Sequence, residues 1–230
     1  MAIKKRLVSP RQKMINLMYI VLMAMLALNI STEVLNGFSI VEESLNRTTD
    51  NSSKENESMY TDFASLMKKN PAKVEAWFAK ATAVKQMSDS LYNFAQELKV
   101  AIVKKADGKN GNVYNIENKD NLEAAGEVML SPIGGKGGKL FNAINSYRNR
   151  IVGMVADPQQ KKIIDSNLST KVPRQSRLLG KNWQEYMFEN MPVAASITLL
   201  SKLQSDVRYA EGEVLHTLVS NIDIDRKSVV

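Results

Sequence analysis

The stretch RQKMINLMYIVLMAMLALNISTEVLN, residues 11–36, decides how the rest of the chain is organised. Residues 14–30 carry no charged side chain and are interrupted only by Asn16, Tyr19 and Asn29. As a helix this run measures roughly 25 Å, near the lower limit for crossing the hydrocarbon core of a bilayer. The pattern predicts a single membrane span.

The residues on either side favour a membrane anchor over a cleaved signal peptide or a buried core helix. The first acid of the chain is Glu33, whereas five basic side chains precede the apolar run: Lys4, Lys5, Arg6, Arg11 and Lys13. This asymmetry predicts a cytoplasmic N-terminus and an exported remainder. A cleavage site would need small residues, and the best pair nearby, Asn29 and Ser31, is a poor match.

The overall charge does not indicate a nucleic-acid partner. The chain carries a formal net charge of +7, but without the five basic residues of the N-terminal tail the remainder is close to +2. An exported domain is also an improbable partner for nucleic acid. Cysteine is absent, so no disulfide contributes to the fold.

Arg11 has two interpretations. Ser9, Pro10 and Gln12 form a helix-start signal with a capping box, which places Arg11 in the first turn. It is either a positive flank that contacts lipid phosphates or a cation that pairs with an acid on a partner helix.

The span itself is slightly polar on one face. At 100° per residue, Arg11 shares a face with Met18, Leu22 and Asn29, and the amides of Asn16 and Asn29 are able to bond to neighbouring helices. The span holds no acid. If it takes part in ion flow, a partner must supply the acidic group.

Beyond the span, no residue pattern interrupts the helix, so the span is expected to continue as a rigid rod. Apolar residues recur at helical spacing at Val34, Leu35, Phe38, Val41 and Leu45. Residues 46–58 are polar all round and are either a solvated helix or a loop.

Further helices are expected after this rod. They include a long one beginning at Pro71 and ended by DGKNGN at residues 107–112, and a short one near residues 122–130. Residues 169–180 are predicted as a loop. In the last helix, Val193, Leu200, Val207 and Val214 repeat every seven residues, with Leu203 and Ala210 as a second heptad position. The predicted fold class is all-α, a single N-terminal transmembrane helix continuing into a helical bundle.

Catalytic, cofactor and metal sites are not expected. The sequence IGGKGGKL at residues 133–140 lacks the first glycine, the Ser or Thr and the preceding strand of a phosphate loop, so it indicates a flexible turn. His216 is the single histidine, and without cysteine it does not suggest a metal site. The residues do not indicate an enzyme.

Two stretches resemble the GldM/PorM family of gliding-motility and type IX secretion inner-membrane proteins. They are SPRQKMINLMYIVLMAMLALNIS at residues 9–31 and MPVAASITLLSKLQSDVRYAEGEV at residues 191–214. Family members are longer and carry further periplasmic domains, so the resemblance implies that this chain is truncated near IDRKSVV. The implied domains are a cytoplasmic tail (1–9), a transmembrane helix (10–33), a periplasmic bundle (34–225) and a truncated end (226–230).

The resemblance implies a motor driven by the proton motive force. Such proteins form homodimers whose spans sit inside a ring of GldL/PorL-type helices that supplies an intramembrane glutamate. Their periplasmic part passes torque to outer-membrane-associated components of the GldK and GldN type. The implied contacts to the ring or the ion pathway are Arg11, Asn16, Tyr19 and Asn29, with Arg11 paired to a ring acid. The alternatives are a single-pass periplasmic ligand sensor, for which the short N-terminus leaves no output domain, or a membrane-anchored scaffold or enzyme.

Overall fold

The computed structural model describes residues 9–28 and 30–227, with only the backbone described for 24–28 and 223–227. The described residues form nine helices: α1 Pro10–Leu28, α2 Thr32–Lys69, α3 Pro71–Asp107, α4 Ala124–Leu130, α5 Gly137–Met154, α6 Pro158–Asn167, α7 Arg174–Leu178, α8 Trp183–Phe188 and α9 Val193–Lys227. Within this part of the chain, extended pairing is limited to an isolated bridge between Asn112 and Asn115. The all-α prediction is confirmed.

The three long helices α2, α3 and α9 lie side by side and are called the rod below. They contain 38, 37 and 35 residues, which makes each more than 50 Å long at about 1.5 Å per residue. Only Asn70 separates α2 from α3, because Pro71 has no N–H to bond and is preset for a first helical turn. Contacts between the helices make α9 parallel to α2 and antiparallel to α3.

The apolar core runs along α3 and α9. In α3 the buried apolar positions include Val74, Ala81, Val84, Leu91, Ala95, Leu98 and Ile102. In α9 the predicted heptad is confirmed, because Val193, Leu200, Val207 and Val214 are all buried. At the predicted second position Ala210 is buried and Leu203 is half-buried. Four further heptad-spaced residues of α9 are buried: Ile197, Gln204, Glu211 and Leu218.

The short helices cover one side of the α3–α9 pair. Helices α4, α5 and α6 pack on this pair, and α8 packs on α4 and α5. The ring of Trp183 in α8 lies 5.8 Å from that of Phe141 in α5 and 6.1 Å from that of Phe188. The prediction that residues 169–180 form only a loop is wrong, because α7 lies within them. The helix begins just after Pro173 and has five residues, too few to show apolar periodicity.

The predicted continuous helix from the span into the rod is also wrong. Helix α1 ends at Leu28 and α2 begins at Thr32, with Ile30 and Ser31 outside both. The reason is local, since Ser31 is extended (φ −65°, ψ 144°) and its hydroxyl accepts a hydrogen bond from the Val34 amide at 3.3 Å. A serine in this arrangement is an N-cap, and it starts a new helix. Residues 46–58, by contrast, are helical throughout.

None of the helices in the described part of the chain combines the length and apolar content that crossing a membrane requires. The predicted span, residues 10–33, includes Asn29, which lies outside the described residues, as do the side chains of residues 24–28.

Candidate functional site

Helix α1 carries the predicted partner contacts. It begins where expected, since the Gln12 amide donates to the Ser9 hydroxyl at 3.3 Å and the Lys13 amide to the Ser9 carbonyl at 3.0 Å. The Gln12 side chain does not complete the predicted capping box. It donates instead to the Asn16 amide oxygen at 3.2 Å, one turn further along.

Arg11 and Tyr19 are both exposed on α1, and Arg11 forms no ion pair within the residues that the structure describes. Large apolar side chains surround them on all faces of the helix: Met14, Leu17, Met18, Ile20, Val21, Leu22 and Met23 are exposed. Arg11, Asn16 and Tyr19 all lie on α1, and Asn29 is outside the described residues.

A second group of polar residues lies inside the rod, where the sequence analysis predicted none. Glu211 on α9 is 1% exposed and contacts three polar side chains, those of Tyr60, Asn56 and Arg208. Tyr60 donates to Glu211 Oε1 at 2.7 Å, and Asn56 Nδ2 contacts Oε2 at 3.2 Å. Arg208 Nη1 lies 2.8 Å from both Glu211 Oε2 and Asp89 Oδ1. These five residues, one or two from each long helix, are called the Glu211 cluster.

The Glu211 cluster is compact, with the Arg208 guanidinium placed between two carboxylates, those of Glu211 and Asp89. Asn56 Nδ2 also donates to the Arg208 carbonyl at 2.9 Å, which ties α2 to the backbone of α9. Burial alone lowers the pKa of Arg208, but hydrogen bonds and charge from Glu211 and Asp89 outweigh it and raise the pKa overall. Burial and the adjacent Glu211 carboxylate raise the pKa of Tyr60. Arg208 therefore stays charged and Tyr60 stays protonated across the physiological range.

A second cluster lies seven residues earlier on α9 and is called the Lys99 cluster. Lys99 of α3 is 3% exposed, and its ammonium contacts Ser201 Oγ at 2.8 Å, Gln204 Oε1 at 3.3 Å and Glu42 Oε1 at 3.5 Å. Burial lowers the pKa of Lys99, while the Glu42 carboxylate counteracts it. The Gln204 amide donates in turn to the Tyr92 carbonyl at 3.2 Å. The cluster joins all three long helices.

Comparison with known proteins settles the family. A family model described as the GldM N-terminal domain matches residues 33–221, most of the chain. The chain belongs to the GldM family. Its predicted family membership is thereby confirmed, and the chain belongs among the components of the gliding-motility and type IX secretion machinery. A search of curated proteins finds no match.

Membership in the GldM family also bears on the class of protein. GldM proteins are membrane-associated and are structural or motor components rather than known enzymes. The matched region covers the rod and the short helices, so both polar clusters lie inside it. Helix α1, with Arg11, Asn16 and Tyr19, precedes it.

The sequence contained a signal for the two clusters. Leu35, Glu42, Thr49, Asn56 and Phe63 recur every seven residues in α2, and all but the half-buried Glu42 are buried. Polar residues at three of the five positions made this seam resemble a solvated face. No apolar periodicity marks these positions of α2, so the sequence pattern did not predict that they are buried.

Proposed function

We propose that this GldM-family chain is the inner-membrane subunit of a rotary motor driven by the proton motive force. In this proposal α1 lies within a membrane span at residues 10–33, as a homodimer inside a ring of GldL-type helices. Residues 34–225 form the periplasmic domain that passes torque toward outer-membrane-associated components. The observation that carries the proposal is the match to the GldM N-terminal domain over residues 33–221.

The properties of α1 support a position inside a ring of other helices. Its described apolar side chains are exposed on every face, Met14 and Met18 by 70% and 73%, and are not covered by the rest of the chain. Helix α1 contains no acid, so a ring helix would supply the proton-carrying carboxylate. Arg11, Asn16 and Tyr19 are then the residues that contact the ring, with Arg11 paired to an acid.

The rod supports the transmission of torque. One elementary charge that crosses 100 mV releases about 2.3 kcal/mol, which a soft connection would dissipate in bending. Three long helices packed along one another resist bending better than a single helix. The extended backbone at Ser31 separates α1 from this rod, so torque passes through the segment 29–31 and not along one continuous helix.

The test is Arg11→Ala in the full-length protein, with Lys13→Ala as the matched control. Both side chains are exposed cations near the start of α1, but they lie about 200° apart around the helix. We expect Arg11→Ala to abolish gliding and secretion while membrane insertion and co-purification with the GldL-type ring remain normal. Lys13→Ala should leave all four measurements intact. Normal gliding and secretion in Arg11→Ala would mean that Arg11 only helps to set the membrane topology.

A further inference from the structure

Between Leu35 and Met59, no side chain of α2 belongs to the apolar core cluster of the described structure. Every α2 side chain in that core lies at Met59 or later: Met59, Tyr60, Phe63, Leu66 and Met67. Between residues 36 and 58, the buried side chains are Thr49 and Asn56, both polar. This 23-residue length of helix is called the α2 lever.

Polar contacts take the place of apolar burial along the lever. Near its start, the Phe38 carbonyl accepts from Thr198 at 3.2 Å and the Ser39 hydroxyl accepts from Lys119 at 3.1 Å. About one turn further along, Glu42 reaches the Lys99 cluster. At its end, Asn56 enters the Glu211 cluster. Hydrogen bonds of this kind depend on precise geometry, and each is lost outright when the partners separate.

The helices beneath the lever are held differently. Helices α3 and α9 share buried apolar side chains along their whole contact, from Val74 to Val103 in α3 and from Val193 to Ile222 in α9. Helices α4, α5, α6 and α8 pack onto the same core. The lever adds no side chain to this core cluster, so its removal would leave the contacts within the cluster in place.

We infer that the α2 lever is a separately detachable unit, latched to the α3–α9 pair by the Lys99 and Glu211 clusters and hinged near Met59. Its opening leaves α3, α9 and the short helices folded. This inference concerns the folded domain and does not depend on the motor assignment. It assigns to the two buried clusters the role of a conformational latch.

The test is hydrogen–deuterium exchange, followed by mass spectrometry, on the full chain in detergent. In the wild-type protein, the amides of residues 40–56 should exchange about tenfold or more faster than those of residues 91–103 in α3, because local opening releases only the lever. Residues 60–67 of α2 provide an internal control. They belong to the same helix but are anchored in the apolar core, and they should be protected as α3 is.

Glu211→Gln then weakens one latch while conserving side-chain shape. We expect it to accelerate exchange in residues 40–56 several-fold and to leave residues 91–103 within about twofold of wild type. Glu213→Gln is the matched control, because Glu213 lies on the same helix outside both clusters. Asn56→Ala, which removes the lever's own amide from the Glu211 cluster, should give the same regional pattern if Glu211→Gln does not fold.

Two results would overturn the inference. The first is equal protection of residues 40–56 and 91–103 in the wild-type protein, which would mean that the lever opens only when the whole domain unfolds. The second is an equal acceleration of both segments in Glu211→Gln or Asn56→Ala, which would mean that the Glu211 cluster supports the domain as a whole.

Discussion

Helices α2 and α3 are nearly equal in length and are joined by one residue, yet they are held in place by different forces. Helix α3 buries eight apolar side chains spread over its length, whereas α2 buries two, Leu35 and Phe63, near its two ends. Burial tolerates small displacements, because apolar contact is not directional. Buried ion pairs and hydrogen bonds do not, since their energy depends on distance and angle. Length and helicity alone therefore do not reveal how firmly a helix is attached.

The largest expected contrast is between the stability lost by truncating a buried apolar side chain of α3 and that lost by truncating a buried polar side chain of α2. Leu98→Ala in α3 removes a fully buried side chain and should lower the free energy of unfolding by about 3 kcal/mol, through lost burial and the cavity left behind. Thr49→Ala in α2 removes a hydroxyl that bonds within its own helix, to the Leu45 carbonyl, and should cost less than about 1 kcal/mol. Urea unfolding of the purified chain in detergent measures both. Equal losses would contradict the contrast between the helices.

A smaller effect on stability is expected at Gly212 of α9, which packs against the polar residues of α2. A Cβ on Gly212 would lie 2.8 Å from Asn56 Oδ1, so Gly212→Ala must displace an amide that bonds to Arg208 and Glu211. We expect a net loss of about 1 to 2 kcal/mol in the free energy of unfolding, even though alanine favours a helix.

The matched control for this substitution is Gly37→Ala, on α2 itself. Nothing lies within 4 Å of the added Cβ at Gly37, and helix propensity alone should stabilise the protein by up to about 1 kcal/mol. The comparison between the two glycines would fail if both variants shifted the urea midpoint in the same direction.

Alkaline pH should lower the free energy of unfolding through Tyr60 of α2. Because its pKa is raised in the folded protein, the folded chain holds a proton that the unfolded chain releases above about pH 10. The stability that Tyr60 contributes is complete below that pH and is lost at about 1.4 kcal/mol per pH unit above it. Tyr60→Phe should therefore lose less stability than wild type between pH 10 and pH 11. Lys99, whose lowered pKa acts in the opposite direction, is present in both proteins and does not affect the difference.

The control for the pH experiment is Tyr114→Phe, at a tyrosine that is 88% exposed. Urea unfolding at each pH should give this variant the wild-type dependence. An unchanged dependence in Tyr60→Phe would mean that Tyr60 does not carry the linkage.

The sequence was sufficient for the elements whose signals are local or apolar. Pro71 after Asn70 marked the start of α3, and the repeat of Val193, Leu200, Val207 and Val214 marked the face of α9 that is buried. The prediction was wrong at Ser31, where apolar residues at helical spacing on both sides favoured one continuous helix. The signal was present, since a serine followed by Thr32 and Glu33 favours a helix start.

The polar clusters could not be predicted in the same way. Asn and Glu are residue types that are common on solvated surfaces. Only the three-dimensional pairing with α9 shows that Asn56 and Glu42 face inward. The contacts on α1 are of another kind, since Arg11, Asn16 and Tyr19 are predicted to contact partners outside this chain. They remain predictions, and Arg11→Ala would test the first of them.

The distance along the chain between Asn56 and Glu211, 155 residues, also sets an order of events during synthesis. Helices α2 and α3 are neighbours in sequence and can pair early, whereas the Glu211 cluster must wait until α9 has been made. Throughout that interval the part of the α2 lever from residue 46 to residue 58 displays only polar side chains. The part of the lever that must wait for Glu211 therefore offers the nascent chain no apolar surface on which to aggregate.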